Sequence, residues 1–331
     1  MNLLDVDELE RQVRLFWLTH VFFALFSILA NVLALYLVLF KSGQMAGVYT
    51  RYLAAAIMAS STSDFYLSIL FHPVPLFPAP CCYSAGLIYD WLGIACGPQF
   101  AFVLFLVALI VPSLGGCFLY RYQASLMPTS KLKISQTGLH IFALLLMLMP
   151  ISILVMVYRL PIDAASALNV RVPETRLNDV AGYSCYDLTY PGPADNTMIY
   201  IFSWLTIAPT FLCGAYFVVR HNLAANTSFS LKAKAQQRLL LKVLLAQITI
   251  PLLVLVIPCI LLFLQIWFLI ENSVGTLIIV QTIALHALLN AVITIFLTPR
   301  YRHEAVKLIK KIRFLSRGSY NRSSLDSFSH S

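Results

Sequence analysis

The sequence predicts an all-α integral membrane protein: a bundle of seven transmembrane helices, amino terminus outside, with a basic amphipathic helix on the cytoplasmic side. Three observations predict it. Of 331 residues, 60% are hydrophobic and 11% charged, whereas soluble domains are about 45–50% apolar and about 25% charged. No single core can hide that much apolar surface, so lipid must solvate part of it. Apolar windows of roughly 20 residues, enough to cross a ~30 Å hydrocarbon layer, recur along the whole chain. All 23 Lys and Arg fall outside those windows.

The windows run Trp17–Phe40, Tyr52–Phe71, Cys96–Tyr120, Gly138–Tyr158, Thr197–Val219, Val243–Ile270 and Val274–Leu297. The chain therefore divides into an extracellular segment (1–16), the bundle (17–297), a basic helix (298–317) and a disordered tail (318–331). The first window is too long for a signal-peptide core and has no small-residue cleavage site, so it reads as retained. With the amino terminus outside, 18 of the 23 basic residues lie inside and five outside. Basic residues favour the cytoplasmic side, so the reverse orientation would be a strong violation. The net charge of +9 thus belongs to topology and gives no reason to expect nucleic acid. Both sequons, at Asn226 and Asn321, fall on the inner side and are expected to carry no glycan.

The connections follow in order. Residues 72–95, with Pro73, Pro75, Pro78 and Pro80, cannot form one continuous helix. Residues 159–196 make the longest connection, read as a partly ordered outer lid. The third inner loop, 220–242, is basic. Beyond Pro299, Ala305, Leu308, Ile309, Ile312 and Leu315 recur at helical spacing among Lys307, Lys310, Lys311 and Arg313. This pattern fits a helix lying on anionic lipid of the inner leaflet; the alternative is a solvated basic helix.

Ionisable groups within windows are few, and burying them is costly. Asp64 lies ~18 Å into the second window at ~1.5 Å per residue, and His286 reaches a similar depth in the seventh. Asn31 and Asn290 could join them. Asp64 would then be protonated, or paired with a cation or with His286, in a conformational switch or a structural polar knot. His20 and His140 read as interfacial. No metal-ligand spacing and no nucleophile–base pair stand out, so no cofactor, metal or catalytic residue is expected. Pro112, Pro209, Pro251 and Pro258 mark bending points, and the sixth window, with two of them and the basic loop attached, is the natural moving part. A ligand pocket is expected among the outer halves of windows three, five, six and seven, at Gln99, Phe102, Tyr200, Trp204, Gln265, Trp267 and Gln281. Walls this apolar suit a small, neutral, lipophilic molecule.

Seven spans in this orientation resemble G-protein-coupled receptors. The rhodopsin-like signatures are mostly missing: Arg121 stands in Leu119-Tyr120-Arg121-Tyr122 without an acidic neighbour, and neither NPxxY nor CWxP occurs. Cys96 precedes Arg121 by the 25 residues expected in that group, which implies a disulfide between Cys96 and Cys185. A narrower resemblance is to the nematode serpentine chemoreceptors of class H. It rests on Lys41-Ser-Gly-Gln-Met45, Asp64, the proline-rich run from Pro73 before Gly86-Leu87, Gln247–Pro258, Leu285–Leu289 and Pro299-Arg300-Tyr301-Arg302. Here the first motif is one residue short and the last carries an extra Arg.

The resemblance implies a sensory receptor in the plasma membrane of a sensory neuron or cilium. It would bind an environmental small molecule and activate a heterotrimeric G protein through Arg121, Lys232, Lys234 and Arg238, and it adds Gln247 to the switch residues. A ligand-gated cation channel of the insect odorant-receptor kind would place the amino terminus inside, against the charge count. A membrane-embedded enzyme would need a tighter site than one Asp and one His supply.

Overall fold

The bundle is built from helices whose lipid-facing sides are more apolar than their buried sides. On the first, Leu18, Phe22, Leu25 and Leu29 form a stripe each more than half exposed, while Phe16, His20, Ala24, Ser27, Asn31, Ala34 and Val38 form the buried one. A soluble helix reverses this arrangement. The computed structural model describes residues 6–42, 47–75, 81–126, 133–160, 184–186, 193–225, 230–268, 270 and 273–311.

Among the described residues, six helical stretches are long and apolar enough to cross a membrane: Arg14–Lys41, Gly47–Phe71, Cys96–Ala124, His140–Tyr158, Lys234–Gln265 and Gly275–Leu297. A helix over Pro193–Ala225, 33 residues long, takes the fifth place in the order. The result is the all-helical, seven-span bundle expected. Span one packs on spans two and seven, span two on three, span three on four and five, and span six on five and seven.

Several helices are longer or less regular than their windows. Span one starts at Val6 and runs 36 residues, ~54 Å, so its first turns extend beyond the hydrocarbon. Spans five and six reach Ala225 and begin at Leu231, so the third inner connection is largely helical. Span three is broken at Leu109, between Cys96–Ala108 and Ile110–Ser125. Pro112 explains the break: it has no N–H for the Ala108 carbonyl, and its ring crowds that oxygen. Span six passes through a π-turn, Leu252–Val256, between Pro251 and Pro258. The wider turn is closed by the Ile257 N–H on the Leu252 carbonyl and carries the helix past two prolines that have no N–H to donate. A second π-turn, Tyr66–Phe71, ends span two at His72, whose φ of 41° turns the chain sharply.

Outside the spans, the proline-rich connection forms an element the sequence reading did not foresee. Strands β1 (Pro73–Pro75), β2 (Cys81–Ser84) and β3 (Ser184–Cys185) make an antiparallel sheet in the order β1-β2-β3, followed by a short helix, Leu87–Leu92. The disulfide expected between Cys96 and Cys185 is not the one formed. Cys81 bonds Cys185, its partner across the β2–β3 ladder, and Cys82 bonds Cys96. Consecutive residues of a strand point to opposite faces, so the adjacent cysteines reach the two partners separately. Of the long outer connection, residues 161–183 and 187–192 lie outside the described residues, as do 312–331.

The sheet is held against spans two and three. The Ser84 hydroxyl donates to the Phe71 carbonyl at 2.6 Å, and the Gly97 N–H donates to the Ser184 hydroxyl at 2.9 Å. A Cβ on Gly86 would sit 2.4 Å from the Leu70 carbonyl oxygen and 2.5 Å from the Phe71 carbonyl carbon. Both are backbone atoms, so Gly86→Ala forces the hairpin off span two at a cost of about 1–3 kcal/mol. Thermal unfolding of the purified variant should show a lower midpoint; an unchanged midpoint would mean that the hairpin is not seated there.

The tail segment 299–311 is helical. Tyr301 and Ala305 are buried in the main apolar core with Leu308 against them, while Val306 and Ile309 stay exposed. The Tyr301 and Ser42 hydroxyls lie 2.7 Å apart, tying this helix to the end of span one.

Candidate functional site

Small hydroxyl residues of span two gather the polar groups of the bundle interior. Ser60, Ser63, Asp64 and Ser68 recur at helical spacing along one side of the helix, and all are buried. Ser68 donates to Asp64 Oδ1 at 3.2 Å, and Ser27 of span one hydrogen-bonds the same carboxyl. Asn31 donates to the Ser27 carbonyl at 2.8 Å. On the other side, His286 Nε2 lies 3.5 Å from Ser63, and Asn290 donates to Ser60 at 3.5 Å. Gln247 of span six donates to Thr294 at 2.7 Å, and Thr294 donates to the Asn290 carbonyl at 2.7 Å.

The contacts form two neighbouring sets that meet on span two: Asn31 and Asp64 through Ser27 and Ser68, and His286, Asn290 and Gln247 through Ser63, Ser60 and Thr294. Asp64 is paired with serines, and the contacts of His286 are Ser63 and the Ile283 carbonyl. The serine and threonine intermediaries were the residues sequence reasoning missed; their spacing along span two was the available signal. The links between spans two and seven, at 3.5 Å, are at the outer limit for a hydrogen bond, whereas the link between six and seven is short. Asn290 Oδ1 and Gln247 Oε1 accept no hydrogen bond among the described residues. Each such acceptor costs about 1–3 kcal/mol unless a buried water or a neighbouring donor meets it.

At the inner end, Arg121 is only 6% exposed. Its guanidinium lies 3.9 Å above the Tyr49 ring and donates from Nη1 to Gln237 Oε1 at 2.8 Å. An aromatic face and an amide oxygen stabilise the cation where the sequence offered no neighbouring acid. Gln237 sits on the inner extension of span six with Lys232, Lys234 and Arg238; Lys232 and Arg238 are exposed and Lys234 half-buried. These residues share one end of the bundle with Arg121.

The seven residues expected to line a pocket are dispersed. Gln99 is buried and donates to Ser84 Oγ at 3.1 Å, holding the sheet. Phe102 packs on Tyr66 with ring centroids 4.9 Å apart. Tyr200 shares a hydrogen bond with Ser152 of span four, and Gln265 accepts from Thr276 at 2.9 Å. Both amide atoms of Gln281 are buried without a partner among the described residues, and the Trp267 side chain lies outside them. Phe102 also borders an open cleft of about 410 Å³ at the outer ends of spans three and four, with Pro98, Leu154 and Tyr158, and Trp204 borders an apolar cavity of about 90 Å³. This cavity lies deeper than expected, between spans three, four, five and six, against Pro251, Leu252, Leu255 and Val256. It opens where the break in span three meets the π-turn of span six, since irregular helix packs less closely than regular helix.

A family model described as serpentine type 7TM GPCR chemoreceptor Sri matches residues 14–304. The motifs of spans six and seven pointed to class H; the match is to Sri and does not carry the class H assignment. No curated protein matches the chain.

Proposed function

The chain belongs to the serpentine type 7TM GPCR chemoreceptor family Sri, and from that membership we propose that it binds a small environmental molecule and signals through a heterotrimeric G protein. It is a multi-pass membrane protein of a chemoreceptor family, and the surface of a sensory neuron is its proposed place. The class H resemblance of its span-six and span-seven motifs is the finer part of this reading. The orientation rests on the 18 basic residues assigned to the inner side.

The observation that carries the signalling half is the enclosure of Arg121 by Tyr49 and Gln237. A cation at the inner end of span three, out of solvent and held by span six, is the arrangement of a receptor at rest. Movement of the inner half of span six draws Gln237 away and exposes Arg121 to the G protein, beside Lys232, Lys234 and Arg238. The π-turn at Leu252–Val256 is the hinge, and the polar contacts from Ser63 and Ser60 through Asn290 and Thr294 to Gln247 couple spans two, seven and six as it moves. A ligand drives this change only through a higher affinity for the open state.

Gln237→Ala removes a hydrogen bond to a charged group, a contact of about 1.5–3 kcal/mol, and leaves the Tyr49 contact in place. The resting state loses stability, and basal G-protein activity in transfected cells should rise roughly tenfold. Unchanged basal activity at equal surface expression would remove Gln237 from the mechanism. The proposal as a whole is tested by screening ligands for G-protein activation in cells. A ligand-evoked current that survives G-protein blockade would favour a channel instead.

A further inference from the structure

The cavity beside the π-turn is lined by aliphatic side chains, Pro251 and Trp204, and the indole N–H is the one polar group on a lining side chain. Water does not settle in such a space, because it would give up its hydrogen bonds without replacement. A guest carrying a hydroxyl or amine meets the same penalty, roughly ten- to a hundredfold in affinity for each unpartnered group. A cavity of ~150 Å³ with apolar walls holds benzene, and at about 90 Å³ the present one suits a guest of roughly four carbon atoms. Leu252 and Leu255 of the π-turn and Ala108 at the break of span three all face this space, so a guest touches both irregular segments at once.

We propose that this cavity, rather than the pocket expected at the outer ends of the helices, is the ligand site of the receptor, and that it takes an uncharged hydrocarbon-like molecule smaller than benzene. The proposal rests on the receptor reading for its signalling consequence, though not for binding itself. By filling the space, the guest favours whichever helix arrangement fits it better, and the π-turn transmits that preference to the inner half of span six. A four-carbon guest binds no more tightly than about 40 µM, given the ceiling for very small ligands.

Binding is measured without a G protein, on the full chain in lipid nanodiscs, using isoprene and cyclopentane against 1-butanol and butylamine. One readout is the thermal unfolding midpoint of the wild-type protein. The other is Trp204 emission in a variant with Trp17, Trp91 and Trp267 replaced by Phe. The hydrocarbons should raise the midpoint and shift the emission, with the alcohol and amine at least tenfold weaker. Ala108→Phe fills the space and should weaken hydrocarbon binding at least tenfold. Leu255→Ala enlarges it and should shift preference toward benzene, a gain of function that needs a folded protein. Failure of both hydrocarbons to act on the wild type, or equal binding by the alcohol, overturns the site while leaving the receptor reading to the ligand screen. Hydrocarbon binding that evokes no G-protein activation, in cells where another ligand does evoke it, overturns this cavity as the receptor's ligand site and leaves the receptor reading standing.

Discussion

Arg121→Ala is expected to reduce ligand-evoked G-protein activation at least a hundredfold while the receptor still reaches the cell surface. The side chain is 6% exposed and makes two contacts at the inner end of the bundle, the Tyr49 face and the Gln237 amide. Alanine removes the charge and both contacts together, so no buried cation is stranded and the loss of folding stability stays modest. The freed Gln237 oxygen, on a half-buried residue, can turn to water. What disappears is the cation that the moving span six would uncover.

Arg121→Lys should fail to restore signalling. An ammonium lacks the planar guanidinium that lies over Tyr49 while donating sideways. Surface labelling and G-protein activation are read on the same cells. Normal ligand-evoked activation by Arg121→Ala at wild-type surface levels would remove Arg121 from the transducing face.

Peptide mapping under non-reducing conditions should recover Cys81 linked to Cys185 and Cys82 linked to Cys96, with no peptide joining Cys96 to Cys185. The two bridges close loops of very different length, with sequence separations of 104 and 14. On the chain-entropy scale a loop of about 100 residues is worth about 4.7 kcal/mol, and one of about 15 residues about 3 kcal/mol. The paired replacement Cys81→Ser with Cys185→Ser should therefore lower the unfolding midpoint more than Cys82→Ser with Cys96→Ser. The first pair also removes the covalent tie between β2 and β3, whereas the second removes the covalent tie of β2 to span three and leaves the Gly97–Ser184 and Gln99–Ser84 hydrogen bonds to hold it. Equal losses would show that tethering to span three matters as much as closing the long loop, and a Cys96–Cys185 peptide would overturn the assignment of both bridges.

The two cases show why the sequence reading succeeded in one place and failed in another. The spacing from Cys96 to Arg121 is real, and both residues stand where it put them, at opposite ends of span three. The bridge inferred from it was wrong because β2 sets a pair of cysteines between Cys96 and Cys185. Nothing along the chain reveals that residues 81–84 form a strand, and the alternation of its side chains decides which cysteine meets which. The same gap appears around Asp64. Its depth in span two could be counted, but its serine partners depend on how that helix is rotated about its axis.

The ligand residues follow the same rule. Seven polar or aromatic positions at the right depth looked like a pocket, yet Gln99 was needed to hold the sheet, Tyr200 to join span four, and Gln265 to meet Thr276. The cavity formed instead among side chains of no individual distinction, where two irregular turns fail to pack closely. Prolines at 112, 251 and 258 mark segments that depart from regular helix, whereas Pro209 lies within one continuous helix, Pro193–Ala225. Whether each would yield a kink, a break or a π-turn was not legible in the sequence.

By itself the sequence determined the number of spans, their order, the favoured orientation and the proline sites where spans three and six depart from ideal geometry, though not the π-turn that ends span two. These depend on the cost of moving each short segment, or each basic residue, into lipid, and that cost is a local quantity. Only the tertiary structure decided the disulfide partners, the Tyr49 and Gln237 contacts of Arg121, the serine bridges to Asp64 and the position of the cavity. Those depend on the rotation and register of one helix against another, which close packing of the whole bundle sets and no single segment encodes.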